Sequence, residues 1–215
     1  RVWTKNELKD LAAFAERHDL IIVSDEIHND LIMPGNKHIP MAIAAPEIMN
    51  RLVMMTATTK TFNIAGMHTG NVIIPDSNLR AEFSKTMMAY GITPNSFGKH
   101  MVTAAYSQEG AAWVDSLMIY LAENQRIFNR EITKIPGINP MTLEGTYLGW
   151  VDFTNTGMSP KEFTDRVEKS AQIVANHGHT FGTGGEYFLR FNIATRRSLV
   201  LEALDRLTNA FSDLQ

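Results

Sequence analysis

The 215-residue sequence contains no cysteine, and this absence removes several classes of site at once. The chain has no disulfide framework, no thiolate metal ligand and no cysteine nucleophile. A chain without cysteine agrees with a reducing compartment, and we expect a cytoplasmic protein. No apolar run approaches the roughly 20 residues that span a bilayer, and no signal peptide is visible, so no membrane partner is predicted.

An excess of basic charge is also lacking. The chain has 20 Lys and Arg against 23 Asp and Glu, which gives a formal net charge of -3. Nucleic-acid-binding domains usually carry clustered positive charge, so no nucleic-acid partner is predicted. The histidines show no metal-ligand spacing, and no metal site is expected. The 44% hydrophobic and 20% charged content is that of a folded globular protein.

The first part of the chain reads as an α/β pattern. Thr4 and Glu7 have the spacing of a helix capping box, and helical periodicity continues to about His18. Short apolar runs predict strands at residues 20–23, 51–56 and 68–74. Helices are expected at residues 79–90 and, with a break near Gly110, at 96–132. Ligands in such sheets bind beyond the carboxyl ends of the strands.

The last part of the chain predicts a second, smaller α/β unit. Its pattern is strand, helix, strand, helix, at residues 146–153, 159–176, 188–194 and 198–214. The composition changes at residues 135–137. We therefore expect a larger domain over residues 1–133, including long connecting helices, and a small domain over residues 134–215.

Two residues at predicted strand ends could carry chemistry. Asp25 follows the first strand, where an acidic residue is more often a helix cap or a solvated loop residue. Lys60 follows the second strand, and its neighbours from 57 to 65 are all uncharged. A lysine without a local counter-ion is a usable nucleophile, although most lysines are merely solvated. The pairing of the two residues favours function.

Arg190 lies inside the apolar run at residues 188–191. A buried arginine needs an acidic or phosphate partner, because it cannot lose its proton. An internal salt bridge and a bidentate clamp for a substrate carboxylate are equally consistent with this position. The glycine-rich run at 181–185 lacks the lysine of a phosphate loop, and a hairpin-like turn is expected there.

Together these segments resemble the fold-type I pyridoxal phosphate (PLP) enzymes of aminotransferase class I/II. More narrowly, they resemble the cystathionine β-lyase branch of carbon–sulfur lyases. The resemblance covers essentially the whole chain, and four runs carry it: SDEIHNDL at 24–31, KTFNIAG at 60–66, EGTYLGWVDF at 144–153 and FGTGGEYFLRFNIATRRS at 181–198. It implies the C-terminal part of a large mixed or parallel-sheet domain followed by a small α/β domain.

The resemblance also implies roles for single residues. Lys60 would form the Schiff base with the cofactor and move protons, and Asp25 would pair with the pyridinium nitrogen. Arg190 would bind the substrate α-carboxylate. The remaining predicted cofactor contacts are His28, where many aminotransferases have a Tyr near the phenolic oxygen, Thr58 or Thr59 at the phosphate, and His68, where many aminotransferases have a phosphate-binding Arg. Ala57 departs from the Ser that relatives often have.

The implied activity is β-elimination of a thiol from cystathionine or another cysteine S-conjugate, giving pyruvate and ammonia. Family members are typically homodimers and continue upstream of Arg1, so the resemblance implies that this chain is a C-terminal fragment that can be inactive by itself. Two alternatives stay open: an amino acid aminotransferase that uses the same residues, and the PLP-fold sensory domain of a transcriptional regulator.

Overall fold

The structure is a computed structural model that describes residues 1–214. The chain divides into two compact units, and the division falls inside one long helix. The first unit is Val2–Ser116, and the second is Leu117–Gln215 together with Arg1. The domain boundary expected from the sequence, between residues 133 and 134, lies just beyond the end of that helix and stays a prediction.

The first unit is built on a three-stranded sheet. Its elements are α1 (Lys5–Arg17), β1 (Ile22–Asp25), α2 (Met41–Ala44), β2 (Leu52–Thr56), β3 (Asn71–Ile73), α3 (Ser77–Ala89), α4 (Ser96–Ala105) and the start of α5 (Gln108–Ile132). In the order β1-β2-β3, β1 is parallel to β2, and β3 is antiparallel to β2. The carboxyl ends of β1 and β2 therefore lie at one edge, where ligands of α/β sheets bind.

Local sequence explains the ends of these elements. The predicted capping box is confirmed: the Thr4 side chain accepts a hydrogen bond from the Glu7 N–H, and Glu7 accepts one from the Thr4 N–H. The predicted first strand begins two residues too early, because the Leu20 N–H still bonds to Ala15 at the end of α1, 2.8 Å away. The predicted strand at 68–74 shortens to β3, since His68 has a left-handed backbone with φ 44°.

The long predicted helix at 96–132 is interrupted earlier than expected. The break lies between α4 and α5, at residues 106–107, and Gly110 is already inside the first turn of α5. The Ser107 hydroxyl accepts a hydrogen bond from the Gly110 N–H at 3.0 Å. The serine cap ahead of α5 therefore marks the break, and Gly110 belongs to the helix that follows it.

The elements of the second unit after α5 are β4 (Asn139–Pro140), β5 (Leu148–Asp152), α6 (Pro160–Asp165), β6 (Asn176–His177), β7 (Phe188–Asn192) and α7 (Arg197–Ala210). Its four strands form an antiparallel sheet of order β4-β5-β7-β6. Stacked rings of Phe153 and Phe163, with centroids 4.7 Å apart, lie in its core. Phe211 also packs against Phe153.

The predicted helix at 159–176 is correct at its start and wrong at its end. The Ser159 side chain caps α6 and Pro160 occupies the first turn, as expected. After Asp165 the chain widens into a π-helical turn, Arg166–Ser170, and Gln172 then takes a left-handed φ of 55°. Asn176 belongs to β6 instead. The strand pairing with β7 overrides the helical periodicity of the sequence.

Candidate functional site

The ends of β1 and β2 open into a cavity of about 470 Å³. Asp25 is the last residue of β1, and Lys60 lies four residues beyond β2. Both line the cavity. The remaining lining residues are Ile27, Met55, Thr56, Ala57, Thr59, Ala65, His68, Thr69, Gly70, Asn71 and Val72. The structure thus places the two strand-end residues that the sequence singled out at one cavity.

Lys60 sits in a tight turn with its side chain half-buried. The turn is closed by hydrogen bonds from the Phe62 N–H to Thr58 at 2.9 Å and from the Ile64 N–H to Thr59 at 3.0 Å. Within residues 1–214, no hydrogen bond or ion pair engages the Lys60 amine. A cavity-lining amine without a partner is available to an incoming group.

Asp25 is exposed, and only one of its carboxylate oxygens is used locally. Its Oδ1 accepts a hydrogen bond from the Ile27 N–H at 3.2 Å, as in a short Asx turn. Across the described part of the chain, the other oxygen has no hydrogen-bond donor, so it can accept one from a ligand.

The other predicted cofactor contacts divide into two groups. Thr59 and His68 line the cavity, whereas His28 and Thr58 do not. Thr58 is completely buried, and its hydroxyl has no hydrogen-bond partner among the described residues. Buried hydroxyls are normally satisfied, so this one marks an unfilled bonding capacity beside Lys60.

One wall of the cavity depends on close packing against α4. A Cβ at Gly98 would overlap the Thr69 hydroxyl, so Thr69 would have to move to admit a larger residue there. The Asn95 amide, which caps α4, donates to the Met67 carbonyl and also reaches Thr69. These contacts hold in place the segment before β3, which carries His68.

Sequence reasoning missed a buried carboxylate next to Asp25. Glu26 is 7% exposed and accepts hydrogen bonds from Ser24 and the Met41 N–H, both at 2.9 Å, and contacts His38 Nε2 at 2.7 Å. Burial by itself would raise the pKa of Glu26, but these hydrogen bonds outweigh it and hold the pKa below its ordinary value. No periodic signal joins His38 to Glu26, although an acidic residue directly after a buried strand was a hint.

Arg190 lies in β7 of the second unit. Its Nη2 donates to the Asn176 side chain at 3.1 Å, and its guanidinium lies 4.3 Å from the centre of the Phe181 ring. Its buried Nε has no partner, and no Asp or Glu of residues 1–214 forms a salt bridge with it. The internal salt bridge that the sequence left open is therefore absent. The glycine-rich run at 181–185 lies in the connection between the antiparallel strands β6 and β7, in agreement with the hairpin-like turn predicted from the sequence.

Residues 1–214 contain no group of three or more His, Asp or Glu arranged to hold a metal ion. None of the helices in that range is long and apolar enough to cross a membrane.

The chain matches the family model of aminotransferase class I and II over residues 1–207. It belongs to this family. Cystathionine β-lyase PatB of Bacillus subtilis is 34% identical over 99% of the chain and 55% of the relative. The chain spans about half the length of the curated relatives it matches.

Two solved structures share the fold closely. Cystalysin from Treponema denticola, which contains a PLP cofactor, is 36% identical with a TM-score of 0.94, over 100% of this chain and 55% of that one. A PLP-bound candidate aminotransferase from Clostridium difficile is 37% identical with a TM-score of 0.94, over 98% of this chain and 55% of that one. The fold-type I α/β architecture predicted from the sequence is confirmed.

The residues around the cavity fit the cofactor that these relatives carry. PLP has an aldehyde, a ring nitrogen, a phenolic oxygen and a phosphate. Lys60 offers an unpaired amine for the aldehyde, and Asp25 offers a free carboxylate oxygen for a ring N–H. Thr59 and His68 add polar groups on the same lining.

Proposed function

We propose that the protein is a PLP-dependent carbon–sulfur β-lyase. It eliminates a thiol from cystathionine or another cysteine S-conjugate and yields pyruvate and ammonia. The observation that carries the proposal is the unpartnered Lys60 amine in one cavity with the Asp25 carboxylate. The likeness to cystathionine β-lyase PatB favours elimination within the wider family.

Lys60 has two tasks in this proposal. When bound, PLP supplies an aldehyde that amines attack and a ring that withdraws electrons from bonds at the substrate Cα. The Lys60 amine would hold the cofactor in the resting protein. With the substrate amine held there instead, Lys60 Nζ would take the proton from Cα, and the bond to the β-sulfur would break. The sulfur would leave with the bonding electron pair and take up a proton as the free thiol, and water would convert the remaining three-carbon unit into pyruvate and ammonia.

The other cavity residues would orient the cofactor and stabilise the charge on its ring. The free oxygen of Asp25 would accept a hydrogen bond from the protonated ring nitrogen of a bound cofactor and would stabilise the positive charge of that nitrogen. Thr59 and His68 are proposed phosphate contacts. Thr58 and His28 remain proposed contacts too, but they lie outside the cavity lining, so their side chains would need to reorient to reach a bound cofactor.

Arg190 is the proposed substrate anchor. A guanidinium matches a carboxylate with two parallel hydrogen bonds, and this geometry fixes the Cα of an amino acid. Among residues 1–214, the hydrogen-bond partner of Arg190 is the Asn176 side chain, and its guanidinium stacks on Phe181, so most of its donors are free within that range. Arg190 lies in the second unit, and Lys60 lies in the first.

The proposal is tested with purified protein, PLP and cystathionine. Lactate dehydrogenase coupling measures pyruvate, and borohydride reduction followed by peptide mass spectrometry locates the cofactor. We expect pyruvate in proportion to enzyme, and a reduced adduct on Lys60. Lys85, an exposed lysine of the same unit, is the internal control. An adduct spread equally over Lys60 and Lys85 would contradict the proposal.

An aminotransferase is the second candidate, favoured by the likeness to the Clostridium difficile structure. The same residues would serve, but Lys60 would return its proton to the cofactor carbon instead of permitting elimination. A single-turnover reaction separates the two activities. Pyridoxamine phosphate and a keto acid, without pyruvate from thioether substrates, would replace the lyase proposal by this one.

We further propose a homodimer in the cytoplasm that acts on a small amino acid, without a nucleic-acid or membrane partner. The support is the likeness to the relatives and the absence of basic excess from the sequence. Light scattering coupled to size-exclusion chromatography checks the assembly. A monomeric mass at micromolar concentration would contradict the dimer.

A further inference from the structure

One buried hydroxyl ties the loop after β2 to the loop after β1. Thr61, directly after Lys60, is 2% exposed, and its hydroxyl donates to Asp30 Oδ2 at 3.1 Å. The other Asp30 oxygen accepts a hydrogen bond from the Asn29 amide at 3.3 Å. Because β1 and β2 are parallel, both loops leave the same sheet edge, and Asp30 bridges them.

The next residue holds the same turn by a different contact. The Phe62 ring stacks on Trp113 of α5 with centroids 5.1 Å apart and an interplanar angle of 21°. Thr61 and Phe62 thus contact separate neighbours, while Lys60 lines the cavity. The turn also contains Asn63 with a left-handed φ of 53°, a conformation that needs support from surrounding contacts.

We propose that Asp30 is a positioning residue that holds the Lys60 amine toward the cavity through Thr61. The inference rests on the proposed function, because it assigns Asp30 a role in the use of Lys60. Asp30 does not line the cavity, so it acts only through the turn. Without the bond, the Thr61 hydroxyl would be buried and unsatisfied, and the turn would shift to hydrate it.

The test measures how fast PLP attaches to Lys60. Protein and PLP are mixed, samples are reduced with borohydride at intervals, and mass spectrometry quantifies the adducts on Lys60 and Lys85. Thr61→Val removes the hydroxyl at constant shape, Thr61→Ser keeps it, and Asp30→Ala removes the acceptor. Thr86→Val is the matched control, because that hydroxyl bonds only to its own helix at 3.0 Å, in α3.

Thr61→Val and Asp30→Ala should each slow attachment to Lys60 by about tenfold or more, toward the roughly 100-fold loss that a 1 Å misplacement of a reacting group can cause. Thr61→Ser and Thr86→Val should retain the native rate, and the Lys85 rate should not change. Hydrogen exchange of the Phe62 and Ile64 amides should accelerate in the two slow variants, at unchanged far-UV circular dichroism.

Three outcomes would overturn the inference. The first is native attachment rates in Thr61→Val and Asp30→Ala. The second is a loss in those variants that occurs only together with unfolding of the whole protein and is shared by Thr61→Ser. The third is attachment of PLP to the unmutated protein that is no faster at Lys60 than at Lys85. This result would overturn the proposed function as well, and it is recognised from the unmutated protein without any variant.

Discussion

The two units differ in how much of their apolar surface they bury. The core of the second unit comprises nineteen buried residues within the described chain, including the stacked Phe153 and Phe163. The connected core cluster of the first unit comprises seven, with further buried apolar residues such as Leu31, Met33 and Ile74 outside it, and α3 contributes no buried residue. Val23 in β1 and Val72 in β3 remain 60% and 40% exposed. Packing stability is therefore concentrated in one unit, and the candidate reactive lysine is in the other.

This division has a physical reason. A cavity that receives a polar ligand needs strand ends with free amine and carboxylate groups, and such groups cannot be packed against apolar side chains without cost. Regions with few buried apolar contacts open at lower free energy than a dense core. Lys60 is consequently held by individual contacts, those of Thr61 and Phe62, instead of by a core.

The largest expected effect concerns the reactive lysine. Lys60→Ala should abolish cofactor attachment and lower pyruvate formation by roughly 10²–10⁴-fold through the lost proton transfer alone. Lys60 is not part of the buried apolar core of the first unit, so the free energy of unfolding of the variant should differ little from that of the native protein. Lys85→Ala is the matched control and should keep full activity. Substantial pyruvate formation by Lys60→Ala would show that the chemistry lies elsewhere.

The second prediction concerns the dense core. Phe153→Ala should lower the free energy of unfolding by about 3–5 kcal/mol, because it removes a buried ring that packs against Phe163 and Phe211. Phe97→Ala, in the first unit and 74% exposed, should change it by less than about 0.5 kcal/mol. Urea unfolding followed by tryptophan fluorescence measures both. Equal losses would remove the contrast between the units.

Much of this arrangement follows from the sequence because it depends on local signals. The capping box at Thr4, the strand β2 and the placement of Asp25 and Lys60 beyond strand ends all come from patterns within a few residues. The end of the helix after Asp165 could not be predicted in this way. Its periodicity continues, but Asn176 pairs with Arg190 from a distant strand.

The parts of the site that were missed share a long sequence separation. His38 is 12 residues from Glu26, and Thr61 is 31 residues from Asp30. Pairs of this kind leave no periodicity. Thr61 and Asp30 meet because β1 and β2 are parallel neighbours, and Glu26 and His38 meet because the loop between β1 and α2 folds back on itself. Sequence patterns thus indicated the candidate reactive groups but not the contacts that hold them.

The third prediction tests the buried carboxylate of the first unit. Glu26→Gln should lower the free energy of unfolding by about 1–2 kcal/mol at pH 7, since hydrogen bonds to the carboxylate weaken. The folded-state pKa of Glu26 is below its ordinary value of 4.5. Its contribution is therefore complete above pH 4.5 and is lost as the pH falls through the folded-state pKa.

Urea midpoints between pH 7 and pH 3 measure this effect. The difference between native protein and Glu26→Gln should shrink below pH 4.5, whereas the exposed Glu47→Gln should follow the native curve throughout. A difference that stays constant down to pH 3 would mean that the Glu26 carboxylate does not hold the hydrogen bonds that lower its pKa in the folded protein.

The smallest effect is expected in the second unit, where the proposed task is binding. Arg190→Lys keeps the charge but loses the planar fork, so KM for the amino acid should rise about tenfold, or about 1.4 kcal/mol, with kcat nearly unchanged. Cofactor attachment at Lys60 should be unaffected, since Arg190 belongs to the other unit. Arg206→Lys, whose partner is Glu202 on an exposed helix face, is the control. An Arg190→Lys variant with slower cofactor attachment and an unchanged KM would contradict the proposed role of Arg190 as substrate anchor.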